Sequence, residues 1–519
     1  MRKKFNIRQK FFSVCILLTL SVLITVNSRS QIPSGTYTIG GTSPDYSDFT
    51  AAVNALNNSG LAGDGPVTFN VRNGTYTENL TVNQIANASL TNNIIFQSEN
   101  NDSTLVILTH STANATLVLD GADYITFRLI TIQTTGSKKV IEMYGGACNN
   151  KFLNCRLTGY NTTSTANTYA VVHSDATATK ENNNEFRNNV ITNGSWGFNY
   201  SGDIDYYETG TVIDGNEFID QAGRAIYMSY QDELVITNNT ITSSINSEWY
   251  GMYLNYCKNA TMVKYNKIRK TTAGQGYGIY LNQCKATSGN SSEVYNNFVR
   301  MCGTSGTGYG IYSNYADYID FYFNNVSSAH TTTGHSAFRT AGGQDVSGTI
   351  RIKNNIFVNT GGGYAVYLST TAGIDEIDYN DYYATGSNLG KWGSADKPDM
   401  VAWTSATGET NSLNFDPSFI DAANGDLHIG NGSLEGEGVY MNSVTGDIDG
   451  TARSDPPTIG AHEIESGSGP TITVTGALTT YETIVGIPTS AQTFTVEGIN
   501  LTAGISVTAP AHFEIQMQG

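Results

Sequence analysis

The stretch Thr237-Asn238-Asn239-Thr240-Ile241 is one copy of the motif that decides the fold of this chain. Similar stretches stand at Arg187-Asn188-Asn189-Val190-Ile191, Tyr295-Asn296-Asn297-Phe298-Val299 and Lys353-Asn354-Asn355-Ile356-Phe357, with shorter variants between them. We take as equivalent Asn189, Asn216, Asn239, Asn266, Asn297, Asn325, Asn355 and Asn380, which follow one another at steps of 23 to 31 residues. Repeats of this length are typical of solenoids, in which each coil of chain lies above the previous one.

A second motif, glycine or alanine followed by an apolar residue and then tyrosine, recurs in phase with the first. Its copies are Ala225-Ile226-Tyr227, Gly251-Met252-Tyr253, Gly278-Ile279-Tyr280, Gly310-Ile311-Tyr312 and Ala365-Val366-Tyr367, with Ala337-Phe338-Arg339 in one coil. Successive side chains of a strand point to opposite faces. The alternation therefore predicts that the central apolar residues line the core and that the tyrosines and Arg339 point outward.

Each coil thus holds at least two short strands, and no helical periodicity interrupts them. Strands of about four residues cannot bury a face alone, but parallel stacking at about 4.8 Å per coil lets them share one core. We expect the asparagine side chains to hydrogen-bond to one another along the axis of the stack. Cys257 and Cys284 each lie six residues after a motif glycine, so we expect them to be axial neighbours, either paired or only stacked.

Segments on either side of the repeats carry a resemblance to a known family. They include Thr38-Ile39-Gly40-Gly41, Gly65-Pro66-Val67-Thr68-Phe69, Leu119-Asp120-Gly121-Ala122-Asp123, Asp447-Ile448-Asp449-Gly450 and Ile459-Gly460-Ala461-His462-Glu463. Together with the repeats, they make residues 35–465 similar to the pectate-lyase-like superfamily of right-handed parallel β-helix proteins, especially the exported ones of Bacteroidetes-type bacteria. The resemblance implies an all-β fold, a right-handed parallel β-helix solenoid, and a polysaccharide as ligand or substrate.

The chain divides into four segments by composition. Residues 1–30 begin with basic residues followed by an apolar run from Phe11 to Val26, which is typical of a secretory signal peptide. Residues 31–465 form the predicted β-helix, with an amphipathic capping helix from Phe49 to Leu56 and a closing segment at its end. Residues 466–470 have the composition of a linker, and residues 471–519 resemble part of an immunoglobulin-like β-sandwich.

The signal peptide predicts a secreted, extracellular protein, with association at the cell surface left open. No second run of about 18 apolar residues follows it, so we expect no membrane span in the mature chain. Loss of the six basic residues in 1–30 leaves 22 basic and 45 acidic side chains. Such an acidic surface repels nucleic acid, which we therefore exclude as a partner.

Neither the cysteines nor the acidic residues predict a metal site. Five cysteines remain after residue 30, and none has the spacing of a zinc motif. Asp447 and Asp449 could supply oxygen ligands to Ca²⁺, but turn-forming aspartates tied to Arg453 explain the same residues better. We therefore predict neither a metal nor a cofactor.

The outward file of the second motif is the predicted ligand-binding site. It consists of Tyr227, Tyr253, Tyr280, Tyr312, Arg339 and Tyr367, and a polar file two residues on consists of Ser229, Asn255, Asn282, Asn314 and Ser369. Aromatic faces pack on the apolar faces of sugar rings, while amides and arginine hydrogen-bond to hydroxyl groups, so the pair of files suits an extended glycan. The alternative is that the stacked tyrosines only stabilise the parallel strands.

We expect a secreted or cell-surface protein that binds a polysaccharide along this face. Degradation of the polysaccharide, by a lyase or a glycoside hydrolase, stays open, because no pair of carboxylates stands out in the sequence as catalytic. The rival hypothesis is a non-catalytic adhesin or a rigid extracellular stalk.

Overall fold

The computed structural model describes residues 30–175, 178–272, 274–302, 307–331, 334–465, 471–482, 484, 487–499 and 503–516. Apart from Ser30, the predicted signal peptide lies outside the described residues, and so does the predicted linker at 466–470. Both therefore stay predictions.

Three long sheets of short strands wind around one core in the described residues, and each coil passes from sheet 1 to sheet 2 and then to sheet 3. Sheet 1 consists of Gly35–Ile39, Val67–Val71, Ile94–Ser98, Ile125–Arg128, Lys151–Leu153, Glu185–Arg187, Val212–Asp214, Val235–Thr237, Met262–Lys264, Ser292–Tyr295, Ile319–Tyr322, Ile350–Lys353 and Ile374–Asp378. Sheet 2 consists of Gly74–Thr77, Val106–His110, Thr131–Thr134, Arg156–Thr158, Val190–Thr192, Glu217–Ile219, Thr240–Ser243, Lys267–Lys270, Phe298–Met301, Asn325–Ser328, Ile356–Asn359 and Asp381–Ala384.

Sheet 3 completes each coil. It consists of Leu80–Asn83, Ala115–Asp120, Lys139–Tyr144, Val172–Ser174, Trp196–Ser201, Arg224–Ser229, Trp249–Asn255, Gly276–Asn282, Gly308–Asn314, Ser336–Ala341, Tyr364–Leu368 and Gly390–Trp392, with Ala395–Lys397 added antiparallel at the end. A minor pair, Glu208–Thr209 with Gln231–Asp232, lies in the turns between sheets 3 and 1. Apart from the antiparallel pairing of Ala395–Lys397, the strands of the three sheets pair in parallel. The winding is right-handed, as predicted.

The apolar residues of the second motif line the core, as predicted. Ile226, Met252, Ile279 and Ile311 are fully buried and face one another in register through sheet 3. Sheet 1 contributes a parallel stack of phenylalanine rings, and the centroids of Phe69 and Phe96 are 4.8 Å apart. The core is therefore built by like residues placed above one another in successive coils.

The buried asparagine ladder lies in the turn between sheets 1 and 2. The Asn266 amide nitrogen donates to Asn297 Oδ1 at 3.0 Å and to the Ile236 carbonyl at 3.0 Å, and Asn239 donates to Asn266 Oδ1 at 3.0 Å. Each rung therefore satisfies its own amide and the backbone groups of the neighbouring coil. This part of the prediction is confirmed.

One member of the predicted ladder is wrong. The rung between Asn297 and Asn355 is Asn324, whose amide donates to Asn355 Oδ1 at 2.9 Å. Asn325 instead begins the sheet 2 strand, opposite Phe298, and its Oδ1 accepts from the Ala461 amide at 2.9 Å. The sequence offers two adjacent asparagines at this turn, and only the pairing with the next coil distinguishes them.

The first asparagine of each Asn-Asn pair is explained by the backbone conformation of the turn. The residue just before each rung has a left-handed backbone, as at Asn188, Asn238, Asn296 and Asn354, with φ between 51° and 58°. Asparagine tolerates this conformation better than most residues do. The recurring Asn-Asn pair is thus one residue for the turn and one for the ladder.

Helices cover the two ends of the core. Helix α1, Phe49–Ser59, extends three residues beyond the predicted Leu56, and Asp48 caps it by accepting from the Ala51 amide at 2.7 Å. Helix α2, Met400–Thr407, buries Trp403 fully against the last coil. Short 3₁₀ turns lie at Asn167–Tyr169, Ala422–Asn424 and Gly432–Leu434.

The closing segment packs back onto the coils through buried polar contacts. The Arg453 side chain is buried, with Nη1 3.1 Å from Glu463 Oε2 and Nη2 donating to Asn296 Oδ1 at 2.8 Å. Asp447 accepts from the backbone amides of Asp449 and Thr451 at 2.9 and 2.8 Å. Aspartate in a tight turn beside Arg453 is the arrangement that the sequence favoured over a Ca²⁺ site.

Two strands near the C-terminus form a separate antiparallel pair. Thr471–Thr475 pairs with Thr495–Ile499, which is compatible with part of the predicted β-sandwich.

The five cysteines after residue 30 are free. Cys257 and Cys284 are hydrogen-bonded neighbours, so of the two predicted arrangements they are stacked rather than paired.

Candidate functional site

The six predicted site residues form one file on the outer side of sheet 3. Tyr227, Tyr253, Tyr280, Tyr312, Arg339 and Tyr367 are direct register partners in consecutive strands, and all six are half-buried. The structure thus brings them together along the axis of the helix. Whether they bind a ligand stays a prediction.

A second file of register partners, which the sequence interpretation missed, runs beside the first. It consists of Trp196, Arg224, Tyr250 and Tyr277, which are half-buried, and of Tyr309, Ser336 and Tyr364, which are buried. We call the two files together the tyrosine face. Its middle coils read Tyr-Gly-x-Tyr, and this repeat was a signal in the sequence that could have revealed the second file.

The local backbone explains why strand alternation did not predict this second file. Tyr250 and Tyr253 both point outward although two buried residues, Gly251 and Met252, separate them. A Cβ at Gly251 would lie 2.7 Å from Ile268 Cγ2 of the core, so this position packs closely and takes a small residue, glycine here and alanine at Ala225 in the previous coil. Two consecutive inward residues therefore interrupt the alternation and leave both tyrosines on the outer side.

The tyrosine rings of the face stack on one another. The ring centroids of Tyr280 and Tyr312 are 4.8 Å apart with planes within 5°, and those of Tyr250 and Tyr277 are 4.7 Å apart with planes within 2°. Tyr277 also stacks sideways on Tyr280 at 5.3 Å. Neighbouring rings therefore cover the ring faces of the central tyrosines. The hydroxyl edges of these central tyrosines line the surface.

Two arginines are inserted into this aromatic array. The Arg224 guanidinium carbon lies 4.1 Å from the ring centroid of Trp196 and 4.8 Å from that of Tyr253. Arg339 lies 4.4 Å from the ring of Tyr367 and also donates a hydrogen bond to the Tyr309 hydroxyl. Burial lowers the pKa of Arg224, and the surrounding tyrosines oppose that shift. The face therefore carries positive charge held against aromatic rings.

An exposed amide ladder borders the tyrosine face, where the polar file was predicted. Asn314 donates to Asn282 Oδ1 at 2.9 Å, and Asn282 donates to Asn255 Oδ1 at 2.8 Å. Ser229 precedes this ladder in register, whereas the Ser369 amide is bound to the Thr340 carbonyl at 3.0 Å. Amide groups and phenol hydroxyls thus run side by side over several coils.

The phenol groups of Tyr277, Tyr280 and Tyr312 stay protonated at neutral pH. Burial, reinforced by the neighbouring phenols, raises the pKa of Tyr277 to about 12. Burial also raises the pKa of Tyr280 and of Tyr312. These hydroxyls can therefore both donate and accept hydrogen bonds.

The two carboxylates hydrogen-bonded to tyrosines of this face are far apart. Glu248 accepts from the Tyr250 hydroxyl at 2.8 Å, and Asp396 accepts from the Tyr364 hydroxyl at 2.8 Å. Their tyrosine partners stand four coils apart in register, about 19 Å at about 4.8 Å per coil. Paired hydrolytic carboxylates stand about 5 to 9.5 Å apart. These two groups are therefore too far apart to act as such a pair.

Comparison with known families gives one match. Residues 132–339, which include most of the tyrosine face, match the family described as periplasmic copper-binding protein (NosD). The match covers less than half of the chain. A search of curated proteins gave no match.

The described side chains do not fit a copper centre of the kind that this family name implies. Copper prefers imidazole, thiolate and thioether ligands. Yet no group of three or more His, Cys, Asp or Glu residues in the described ranges is placed to hold a metal ion. The ring centroids of His330 and His335 are 5.4 Å apart, and those of His428 and His462 are 4.8 Å apart. Both ring nitrogens of His330 are buried without a hydrogen-bond partner in the described structure.

Solved structures with similar chain winding include several carbohydrate-active enzymes. A lacto-N-biosidase from Eubacterium ramulus is 10% identical, covers 69% of this chain and 67% of its own, and has a TM-score of 0.38. Pectin methylesterase from carrot is 14% identical, covers 75% and 90%, and has a TM-score of 0.25. The Aspergillus niger enzyme is 14% identical, covers 67% and 92%, and has a TM-score of 0.23. Such low scores carry no argument about activity.

The fold assignment therefore rests on the strand pairing itself. Within the described part of the chain, none of the helices has both the length and the apolar character needed to cross a membrane. The three parallel sheets, the buried asparagine ladder and the helix at each end agree with the resemblance seen in the sequence. This chain is a right-handed parallel β-helix repeat protein, with three sheets of short strands wound around one core.

Proposed function

We propose that this protein is exported and binds a polysaccharide that lies along the tyrosine face, parallel to the helix axis. The observation that carries the proposal is the continuous ridge of phenol hydroxyls, bordered by the amides of Asn255, Asn282 and Asn314 and interrupted by Arg339. A polymer of sugars repeats its hydroxyl groups along one direction, and this ridge repeats its donors and acceptors in the same way.

The mode of binding differs from the one that the sequence suggested. Because the central rings are stacked on one another, their faces are not available to sugar rings. We propose that the polymer contacts the hydroxyl edges of Tyr253, Tyr280 and Tyr312 and the guanidinium of Arg339. Arg339 and Lys391 supply positive charge to one end of the face. Because positive charge attracts acidic polymers, the binding experiment includes acidic as well as neutral polysaccharides.

The experiment compares binding by the wild-type chain with binding by two sets of variants. The double variant Tyr280→Phe, Tyr312→Phe keeps the stacked rings and removes two hydroxyls. The triple variant Tyr280→Ala, Tyr312→Ala, Arg339→Ala removes the centre of the face. Affinity is measured for neutral glucan, xylan and galactan and for polygalacturonate. We expect the double variant to bind about tenfold more weakly, which corresponds to about 1.4 kcal/mol, and the triple variant to lose binding.

A matched control is available on another surface. Tyr230 and Tyr256 form a stacked pair outside the tyrosine face, with ring centroids 4.9 Å apart and planes within 1°. The variant Tyr230→Ala, Tyr256→Ala should keep wild-type affinity. Unchanged affinity in the triple variant would contradict the proposal and leave the rigid stalk as the better hypothesis.

The same assays address catalysis and export. New reducing ends or unsaturated uronates would reveal a hydrolase or a lyase, and the separation of Glu248 from Asp396 leads us to expect neither on this face. For export, the full chain is expressed in a bacterium and its fractions are collected. We expect the mature protein outside the cytoplasm with Gln31 at or near its N-terminus, and retention of residues 1–30 would contradict the proposed signal peptide.

A further inference from the structure

A cleft on sheet 1 arises from unequal coil lengths. The steps from Asn266 to Asn297 and from Asn324 to Asn355 are 31 residues, whereas the step between them is 27. The extra residues lie in the turns before Ser292–Tyr295 and before Ile350–Lys353, and they protrude on either side of the shorter coil. A cavity of about 630 Å³ lies there, lined by residues of both turns and of the coil between them.

The floor of this cleft, which we call the sheet 1 cleft, carries three charged residues in register. Glu293, Asp320 and Arg351 are partners in consecutive strands. Arg351 binds Asp320 through two hydrogen bonds, Nε to Oδ1 at 2.7 Å and Nη2 to Oδ2 at 2.7 Å. The Asp320 side chain is 4% exposed and that of Arg351 38%. The pair is thus a fixed planar group, and the partly exposed Arg351 keeps N–H donors that this pairing does not use.

Glu293 extends this polar floor. Its carboxyl group receives no hydrogen bond from another described residue, although it lies beside Asp320 in the next coil. Burial and the charge of Asp320 raise its pKa. The half-buried carboxyl group therefore has no hydrogen-bond partner among the described residues, and a hydroxyl group of a ligand can take the place of water there.

Tyr318 gives the cleft an aromatic wall. It is half-buried and lines the cavity, and its ring stacks on no other described aromatic ring. In this respect it differs from the central tyrosines of the tyrosine face, whose ring faces are covered. An aromatic side chain beside fixed polar groups in a cleft is the combination that recognises the apolar face and the hydroxyl groups of a sugar ring.

We propose that the sheet 1 cleft binds one neutral sugar ring, which packs on Tyr318 and hydrogen-bonds through adjacent hydroxyl groups to Glu293 and to Arg351, which Asp320 holds in place. Asp375 also lines the cleft, so three acidic residues face one arginine. This excess of negative charge disfavours uronic acids. The site is separate from the tyrosine face and does not depend on the function proposed for it.

The test titrates the full chain with D-glucose, D-galactose, D-mannose, D-xylose and, as the acidic probe, D-galacturonate, followed by ligand-observed NMR. We expect binding of at least one neutral sugar with a Kd on the order of 1 mM and no binding of galacturonate. The variant Tyr318→Asn removes the ring and tolerates the left-handed backbone at this position, where φ is 54°. It should weaken binding at least tenfold, and so should Glu293→Gln.

The tyrosine face provides the control. Tyr280→Phe, Tyr312→Phe should leave monosaccharide binding unchanged, while Tyr318→Asn should leave polysaccharide binding unchanged, so the two proposals fail separately. The sheet 1 proposal is overturned if none of the neutral sugars binds, if galacturonate binds more tightly than they do, or if folded Tyr318→Asn protein binds like wild type.

Discussion

The tyrosine face and the sheet 1 cleft are both outward surfaces of the same repeat, yet their chemistry differs. On the tyrosine face like residues stand above one another, so the rings of Tyr280 and Tyr312 cover each other. In the cleft unlike residues stand above one another, and Asp320 pairs with Arg351. Stacked neutral side chains satisfy one another, whereas stacked charges must find an opposite partner or share a proton. Four changes test this difference.

The largest effect is expected at Asn266, in the buried ladder of like residues. The variant Asn266→Ala removes the acceptor for Asn239 and the donor to Asn297 and to the Ile236 carbonyl. Because these groups are buried, we expect a loss of about 3 kcal/mol in the free energy of unfolding. Urea denaturation followed by circular dichroism measures it.

A matched control for this change is the half-exposed amide ladder. Asn255→Ala removes one rung that water can replace, so its loss should stay below about 1 kcal/mol. Equal losses at Asn266 and Asn255 would show that burial of the ladder does not determine its contribution to stability.

A smaller effect is expected where unlike residues pair. The variant Arg351→Met leaves the Asp320 carboxylate buried without its partner, and we expect a loss of about 2 kcal/mol at pH 7, discounted for the partial exposure of Arg351. Burial raises the pKa of Asp320, and Arg351 opposes that shift. The loss should therefore shrink as the pH falls and Asp320 becomes protonated. A loss that does not change between pH 4 and pH 7 would contradict the assigned ion pair.

A change of opposite sign is expected where two acids are stacked. Glu208 is fully buried beside Glu181, and burial, together with its hydrogen bond to Glu181, raises its pKa well above the ordinary value. A raised pKa in the folded state means that stability is lost as the pH rises from the unfolded value through the folded one.

The variant Glu208→Gln removes that loss, and it places an amide above Gln231, which already donates to this side chain at 2.6 Å. We expect it to be more stable than wild type by about 1 kcal/mol at pH 8 and similar to wild type near pH 4. Thermal unfolding at the two pH values measures the difference. Destabilisation at pH 8 would show that an ionised pair is tolerated here.

The smallest effect on folding is expected for Tyr280→Phe. This variant keeps the ring stacked between Tyr253 and Tyr312 and removes a half-exposed hydroxyl group. We expect a change below about 0.5 kcal/mol in unfolding. By contrast, Tyr280→Ala opens the stack and should cost about 1.5 kcal/mol. If the two variants are equally stable, ring stacking does not stabilise the face.

The sequence alone determined much of this protein because strands alternate and coils repeat. The apolar files, the outward Tyr227 to Tyr367 file and the existence of an asparagine ladder follow from residue order, since successive residues of a regular strand point to opposite faces and the motifs repeat in phase. The same reasoning identified one residue per coil at the outer surface and the helix that begins at Phe49.

Only the tertiary structure decided which residues of neighbouring coils contact one another. The length of each coil sets which residue lies above which, and along the ladder from Asn189 to Asn380 the coils take 23 to 31 residues. For this reason Asn324 and not Asn325 joins the ladder, and the tyrosine rings cover one another. Tyr250 turns outward beside Tyr253 because two consecutive inward residues separate them. Glu293, Asp320 and Arg351 are about 30 residues apart in the chain and meet in one cleft because two longer coils flank a shorter one.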